Sequence, residues 1–202
     1  LKALNSCSSS NRVVETMLIS TLQRCSRSRD VCVKLVKMDC WNTCRRMLRH
    51  NISCNSIEAR RSVSYVLVLM LHMLVCEPSL LVLLENNKKK NNNNDLIDDI
   101  LHVLMSNKME ISVRLNAASV MYMLLREVHI RVSSRDRVSK KLSCTINHVS
   151  KPLQYRIKCI LKRLQSEDKV DMSPNWIEDK TKGWDAPDIY FLRVRTDFDE
   201  KE

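Results

Sequence analysis

Apolar residues recur at helical spacing along most of this chain, and short polar junctions separate the apolar stretches. The first stretch follows a polar cluster at residues 8–11, which is typical of the start of a helix. Its apolar positions predict a helix that buries one apolar face, made of Val13, Val14, Met17, Leu18 and Leu22. Two further helices are predicted around residues 31–36 and 39–49, so the chain begins as a succession of amphipathic helices.

The longest apolar stretch predicts a helix over residues 57–76. Its centre, VSYVLVLMLHMLV at 63–75, is apolar on every side, so most of its surface should be buried. A membrane span over 62–84 is the alternative, because the length is nearly sufficient. We expect no span, because His72, Glu77 and Pro78 interrupt the segment and a charge within a span costs several kcal/mol.

The second half of the chain continues the helical pattern after a low-complexity insertion. Pro78 should open a short helix over 79–85, and the insertion at 86–94, which contains KKKNNNN, is expected to be disordered. Asp95 is the predicted cap of the next helix, and three more are predicted at 110–128, 133–148 and 152–165. The helix at 110–128 should bury Val113, Ala117, Val120, Met121 and Leu124. Residues 168–202 are polar and form a predicted tail, disordered or weakly docked.

The long helices are predicted to begin near residues 11, 57 and 111. This spacing of about 46 to 54 residues is close to the length of armadillo and HEAT units, and the insertion accounts for the longest gap. The chain has one glycine, Gly183, and four prolines, too few for the tight turns of a many-stranded sheet. We therefore predict an all-α protein, an armadillo/HEAT-like α-solenoid of about three to four stacked helical units over residues 8–167.

The positive charge of the chain indicates which kind of partner to expect. Lys and Arg number 34 against 23 Asp and Glu, a net charge of +11. The basic residues are densest towards the end of the helical region, which favours a protein partner with an acidic segment. The candidate partner-binding residues are Arg135, Lys140, Lys141, Arg156, Lys158, Lys162 and Arg163. Nucleic acid is a less favoured partner, because interleaved aromatic residues for base stacking are missing except Tyr155.

Catalytic and metal chemistry find little support in the sequence. Cys40, Cys44, His50 and Cys54 could supply zinc ligands, but the close C-x-x-C spacing of structural zinc sites is missing. No histidine stands in a recognisable nucleophile motif, so neither catalysis nor a cofactor is expected. The nine cysteines are expected to be reduced, buried thiols. The acidic run at Asp95, Asp98 and Asp99 is interpreted as an acidic first turn that favours the helix dipole.

Three segments resemble one known family. They are RRSVSYVLVLMLHMLVC at 60–76, RLNAASVMYML at 114–124 and YRIKCILKRLQSE at 155–167. They are similar, in order and spacing, to helices of the LisH-domain-containing armadillo-repeat protein of ciliary basal bodies. The chain shows no LisH motif and little of the family's acidic tail, so the resemblance covers only the armadillo portion.

The resemblance implies a non-enzymatic scaffold that acts in cilium assembly and signalling. It would lie in the cytoplasm with the cytoskeleton, at the basal body or centriole. The alternatives are an α-solenoid that binds nucleic acid and a general armadillo adaptor in cytoplasm or nucleus. A stack of armadillo units serves transport, adhesion and scaffolding alike, so the fold does not choose between them.

Overall fold

Eight α-helices and one 3-10 turn make up the part of the protein that the structure describes. The structure is a computed structural model, and it describes residues 12–76, 92–127 and 132–165. The helices are α1 (Arg12–Cys25), α2 (Arg29–Lys37), α3 (Cys40–Ile52), α4 (Ile57–Cys76), α5 (Asn92–Met105), α6 (Ile111–Glu127), α7 (Val132–Thr145) and α8 (Lys151–Gln165), with the 3-10 turn Ile146–His148 before α8. These ranges contain no strand, which confirms the predicted all-α class.

The junction between α2 and α3 is a tight turn made without glycine. Asp39 adopts left-handed backbone angles, with φ of 60° and ψ of 32°. Aspartate tolerates this conformation better than most residues, because its short polar side chain bonds locally. Here the carboxylate accepts a hydrogen bond of 2.7 Å from the amide nitrogen of Asn42 in the first turn of α3. Asp39 therefore forms the turn and precedes the first residue of α3.

The helices pack in two rows. In the first row, α4 packs on α1 and α6, and α6 in turn packs on α8. In the second row, α5 lies between α3 and α7. Contacts of α4 with α3 and of α6 with α5 join the rows, and α2 covers a further part of α4. One continuous apolar core runs from Ile19 in α1 to Leu164 in α8, so the described helices share a single core.

Helices α1 and α4 lie side by side and run in the same direction. The Thr16 and Ser62 hydroxyls are 2.8 Å apart, and the Ser26 hydroxyl is 2.6 Å from Nδ1 of His72. Both pairs are separated by 46 residues in the chain. Two contacts with the same separation fix the relative position of the helices along their length. This separation falls within the predicted repeat length.

The apolar face predicted for α1 is correct for Leu18 and Leu22, which pack against the core, and wrong for its first three residues. Val13 and Met17 are 58% and 65% exposed, and Val14 is exposed as well. The buried side of α1 instead carries Ile19 together with polar residues. Those buried polar residues are Glu15, Gln23 and, directly after the helix, Ser26. Helix α1 is the first described helix of its row and packs on α4. The side of α1 that meets α4 is partly polar because it makes hydrogen bonds to α4 as well as apolar contacts.

The other predicted helices agree with the structure to within a few residues. The five predicted inner positions of α6 are all buried, as are Trp41, Cys44, Met47 and Leu48 in α3. Helix α5 begins at Asn92, three residues before its predicted cap, so residues 92–94 belong to the helix and not to the insertion. The predicted helix at 79–85, the remainder of the insertion and the tail at 168–202 lie outside the described residues.

We predict that Ser26→Ala lowers the free energy of unfolding by about 1–3 kcal/mol. Ser26 is fully buried, and its removal leaves Nδ1 of His72 and the Gln23 carbonyl without this partner. Urea denaturation followed by circular dichroism measures the change. Ser143→Ala, at an exposed position of α7, is the matched control and should shift stability by less than about 0.5 kcal/mol. Equal effects of the two substitutions would contradict the assigned role of Ser26.

Candidate functional site

The exposed face of α8 holds the best candidate for a binding surface. Leu153, Ile157, Ile160 and Leu164 are buried and attach the helix to the core. The opposite side presents basic residues one turn apart with a tyrosine between them. Its exposed members are Lys151, Tyr155, Lys158 and Lys162. This pattern is that of an amphipathic helix whose outer face is positively charged.

Arg156 does not belong to this exposed face. The side chain is only 4% exposed, and Nη1 donates hydrogen bonds of 2.6 Å to the Leu115 carbonyl and to the Ser119 hydroxyl. Burial lowers the pKa of Arg156 to about 10, so it is still protonated at neutral pH. Its prediction as a partner-binding residue is therefore corrected: Arg156 ties α8 to α6 inside the fold. The available signal was helical spacing, because Arg156 lies three residues after Leu153 and four before Ile160, on the buried side of α8.

The remaining predicted basic residues lie on α7 and α8, which pack on each other. Lys140 and Lys141 on α7 are exposed, like Lys158 and Lys162 on α8. Arg135 and Arg163 are half-buried. We call four of the exposed lysines, Lys140, Lys141, Lys158 and Lys162, the basic surface. It consists of flexible, strongly hydrated charges, which suit attraction of an acidic partner better than bidentate recognition.

Two carboxylates of α5 join the second row of helices. Asp99 accepts a hydrogen bond of 3.1 Å from Nε of Arg49 in α3, and Asp98 accepts one of 2.9 Å from Nη2 of Arg137 in α7. Because α5 begins at Asn92, both lie beyond its first turn, and the dipole interpretation of Asp98 and Asp99 is wrong. Exposed pairs of this kind contribute at most about 1 kcal/mol each. Their main consequence is that Arg137 is engaged within the fold.

Four cysteine thiols are buried in the first three-helix segment and in α4. Cys44 hydrogen-bonds to Cys40, which lowers the pKa of Cys40 and raises that of Cys44. Burial and the neighbouring Cys76 thiol raise the pKa of Cys32. The eight cysteines within the described ranges form no disulfide, and Cys25 and Cys144 are exposed, contrary to the expectation that the thiols are buried.

The possible zinc ligands do not come together. Cys54 is half-buried beyond the end of α3, where its thiol meets the His50 carbonyl at 3.4 Å, while Cys40 and Cys44 are buried within α3. Within the three described ranges, no group of three or more His, Cys, Asp or Glu side chains is placed to hold a metal ion.

A serine and a histidine that are distant in sequence meet in the structure. Ser26 Oγ lies 2.7 Å from the Gln23 carbonyl and 2.6 Å from Nδ1 of His72. The hydroxyl has one proton, so both contacts are satisfied when it donates to the carbonyl and accepts from Nδ1–H. A nucleophilic serine needs the opposite polarity, with the imidazole accepting its proton. Ser26 is also fully buried, so the pair links α1 to α4 and is not arranged for catalysis.

Two polar residues of α6 were not singled out by sequence reasoning. Nε of Arg114 donates a hydrogen bond of 2.9 Å to the Leu104 carbonyl of α5, and burial lowers the Arg114 pKa. Nη2 of Arg114 and Oδ1 of Asn116 are buried without a hydrogen-bond partner in the described part of the chain. The available signal was the presence of charged and amide side chains in an otherwise apolar helix, where each such group requires a partner.

Helix α4 is long and apolar enough to cross a membrane by length and composition, and it is the one such helix found among the described residues. Of its apolar window, 72% is buried inside the protein. Packing against α1, α2, α3 and α6 accounts for this burial. A buried core helix and a membrane span share the same composition, so the apolar character of α4 is explained by its position in the core.

Comparison of this chain with protein-family models, with curated proteins and with solved structures gave no match.

We predict that Arg156→Ala lowers the free energy of unfolding by about 1.5–3 kcal/mol, because hydrogen bonds from a charged donor are lost inside the fold. Lys158→Ala, two residues further along α8 and exposed, should change it by less than about 0.5 kcal/mol. Chemical denaturation of both variants measures the difference. An Arg156→Ala protein as stable as the Lys158→Ala protein would show that the buried guanidinium does not hold α8 on α6.

Proposed function

We propose that this protein is a non-enzymatic protein-binding scaffold built as an armadillo-like α-solenoid. The observation that carries the proposal is the side-by-side packing of α1 and α4, with contacts at a constant separation of 46 residues. Repeating helical units produce this arrangement, because each unit places its helices against the equivalent helices of the next unit. The row formed by α1, α4, α6 and α8 extends the same principle along the chain.

Stacking of this kind supports a binding role because the helices bury one another's apolar faces, which leaves their outer faces available for a partner. Helix α4 has no outer apolar face left to expose, and its buried residues are shared between its neighbours. The remaining surfaces of the stack are helix faces on the outside of the two rows. Such extended surfaces bind segments of other proteins in solenoids.

The charge of the last two helices supports an acidic protein segment as the partner. Residues 132–165 contain nine Lys and Arg residues and one acid, Asp136. Arg156 is buried and Arg137 pairs with Asp98, so the basic surface provides the accessible charge. A concentration of like charge on adjoining helices attracts oppositely charged partners over a distance of about 8–10 Å at physiological ionic strength.

We predict that a labelled acidic peptide of about 20 residues, rich in Glu and Asp, binds the full chain and that Lys158→Glu with Lys162→Glu weakens binding at least about tenfold. Fluorescence anisotropy measures the affinity at low and physiological salt. Lys34→Glu with Lys37→Glu, which reverses two exposed lysines on α2, is the matched control and should change the affinity less than about threefold.

The same titration distinguishes the proposal from nucleic-acid binding. A single-stranded oligonucleotide replaces the peptide, and salt is raised stepwise. Tighter binding of the oligonucleotide than of the peptide, with steep loss of affinity as counterions are released, would favour the nucleic-acid function. Loss of peptide affinity that is equal in the test and control variants would contradict the assignment of the basic surface.

The ciliary part of the proposal rests on the resemblance of residues 60–76, 114–124 and 155–167 to the basal-body family. We expect proximity labelling with the full-length protein in ciliated cells to enrich centriolar and basal-body proteins. Neighbours from the general cytoplasm or the nucleus would instead favour an armadillo adaptor of another pathway. The control for non-specific labelling is the labelling enzyme alone, expressed at the same level without this protein fused to it.

A further inference from the structure

We propose that an acidic segment of the same chain, residues 167–188, docks on the outer face of α8. This face is defined by Lys151, Tyr155, Lys158 and Lys162, which are spaced by four, three and four residues and are all exposed. The spacing places them on one side of the helix. The proposal does not rest on the function proposed above, because it concerns a contact within one molecule.

The residues of this face are exposed on the side of α8 away from the core. Helix α4 is packed between α1 and α6, and α6 is packed between α4 and α8. Among the described elements, the main contacts of α8 are with α6, α7 and the 3-10 turn. The ring of Tyr155 is 45% exposed in the middle of the lysines. The face thus offers positive charge with an aromatic surface at its centre.

A second copy of the chain suits this face poorly. At the other end of the row, the exposed residues of α1 include the apolar side chains Val13 and Met17, which offer lysines no opposite charge. Desolvating lysines against apolar side chains is unfavourable. Pairing of two α8 faces would bring lysines together with lysines. The charge of the face therefore favours an anionic occupant.

The segment that follows α8 has this chemistry. Residues 167–188 contain seven acids and three lysines, a net charge of −4, together with Trp176 and Trp184. The whole of residues 166–202 contains eleven of the 23 acids of the chain. Carboxylates complement the lysines, and an indole ring gains further from a cation placed over its face. Both components of the α8 face have a counterpart in the segment.

The segment is also within reach. Thirteen residues separate Gln165 from Glu178, and a chain of that length can span up to about 43 Å when extended. Helix α8 rises about 1.5 Å per residue, so Lys158 lies about 10 Å and Lys151 about 21 Å from Gln165. A tether of this length gives an effective concentration in the millimolar range. Contacts that are weak between separate molecules are then sufficient for docking.

Docking would have a consequence for binding in trans. An acidic partner that uses Lys158 and Lys162 must displace residues 167–188, so its apparent affinity is reduced by the occupied fraction of the face. Neutralising the segment should therefore strengthen binding of an added acidic peptide while leaving the fold unchanged. Docking itself is tested with no partner present, so its failure and the failure of the scaffold function are separate results.

The test is carbodiimide cross-linking of the full-length monomer followed by peptide mapping, with an equal mixture of ¹⁴N- and ¹⁵N-labelled chains. We expect cross-links from Lys158 or Lys162 to Glu178, Asp179, Asp185 or Asp188, within chains of one label. Cross-links to Glu167 or Asp168 are not counted, because these residues follow α8 directly. Replacing Glu178, Asp179, Asp185 and Asp188 by the corresponding amides should make Trp176 and Trp184 more accessible to quenching by acrylamide.

Charge reversal supplies the second readout. Lys158→Glu with Lys162→Glu should raise acrylamide quenching of tryptophan fluorescence at least about twofold, because Trp176 and Trp184 are released while Trp41 stays buried in α3. The exposed pair Lys34→Glu with Lys37→Glu on α2 should leave it unchanged, and circular dichroism confirms that both variants are folded. Absent intramolecular cross-links with unchanged quenching would overturn the proposal. Cross-links found only between differently labelled chains would overturn it in favour of association of two copies.

Discussion

The burial of α4 between its neighbours is the constraint on which the rest of the structure depends. Nearly every residue from Val66 to Leu74 is inaccessible to solvent, on all sides of the helix. A helix of this composition cannot exist in water by itself, because it exposes apolar surface whichever way it turns. It requires α1 on one side, α6 on another and the second row behind it. The two-row arrangement follows from this need.

Polar contacts inside this core determine how the helices are aligned. An apolar helix surface tolerates sliding of one helix along another, whereas a buried hydrogen bond is satisfied in one position. Three such contacts join helices that are far apart in sequence. They are the Ser26–His72 contact, the hydrogen bond of 3.0 Å from the Asn51 amide to the Glu15 carboxylate, and the hydrogen bonds of Arg156 to α6. We infer that these contacts select one alignment from those that apolar packing alone would permit.

The surface shows how the distribution of charge follows from the same packing. Basic residues are spread along the chain, but their roles differ with position. Arg156 is inside the fold, Arg49 and Arg137 pair with α5, and Lys158 and Lys162 are exposed on α8. Net charge alone therefore does not locate a binding surface. Burial decides which charges can act on a partner.

The sequence by itself determined the helical class, the positions of the helices and the inner face of α6, because helix formation and apolar periodicity are local properties. It also indicated repeating units from the spacing of the long helices. The tertiary structure decided the rest: that α1 buries Glu15 and exposes Met17, that Ser26 meets His72, and that Arg156 leaves the basic surface. Each of these depends on which helix lies alongside, 36 to 46 residues away in the chain. Periodicity shows that a helix has two faces, but only the neighbouring helix decides which polar groups are satisfied when they are buried.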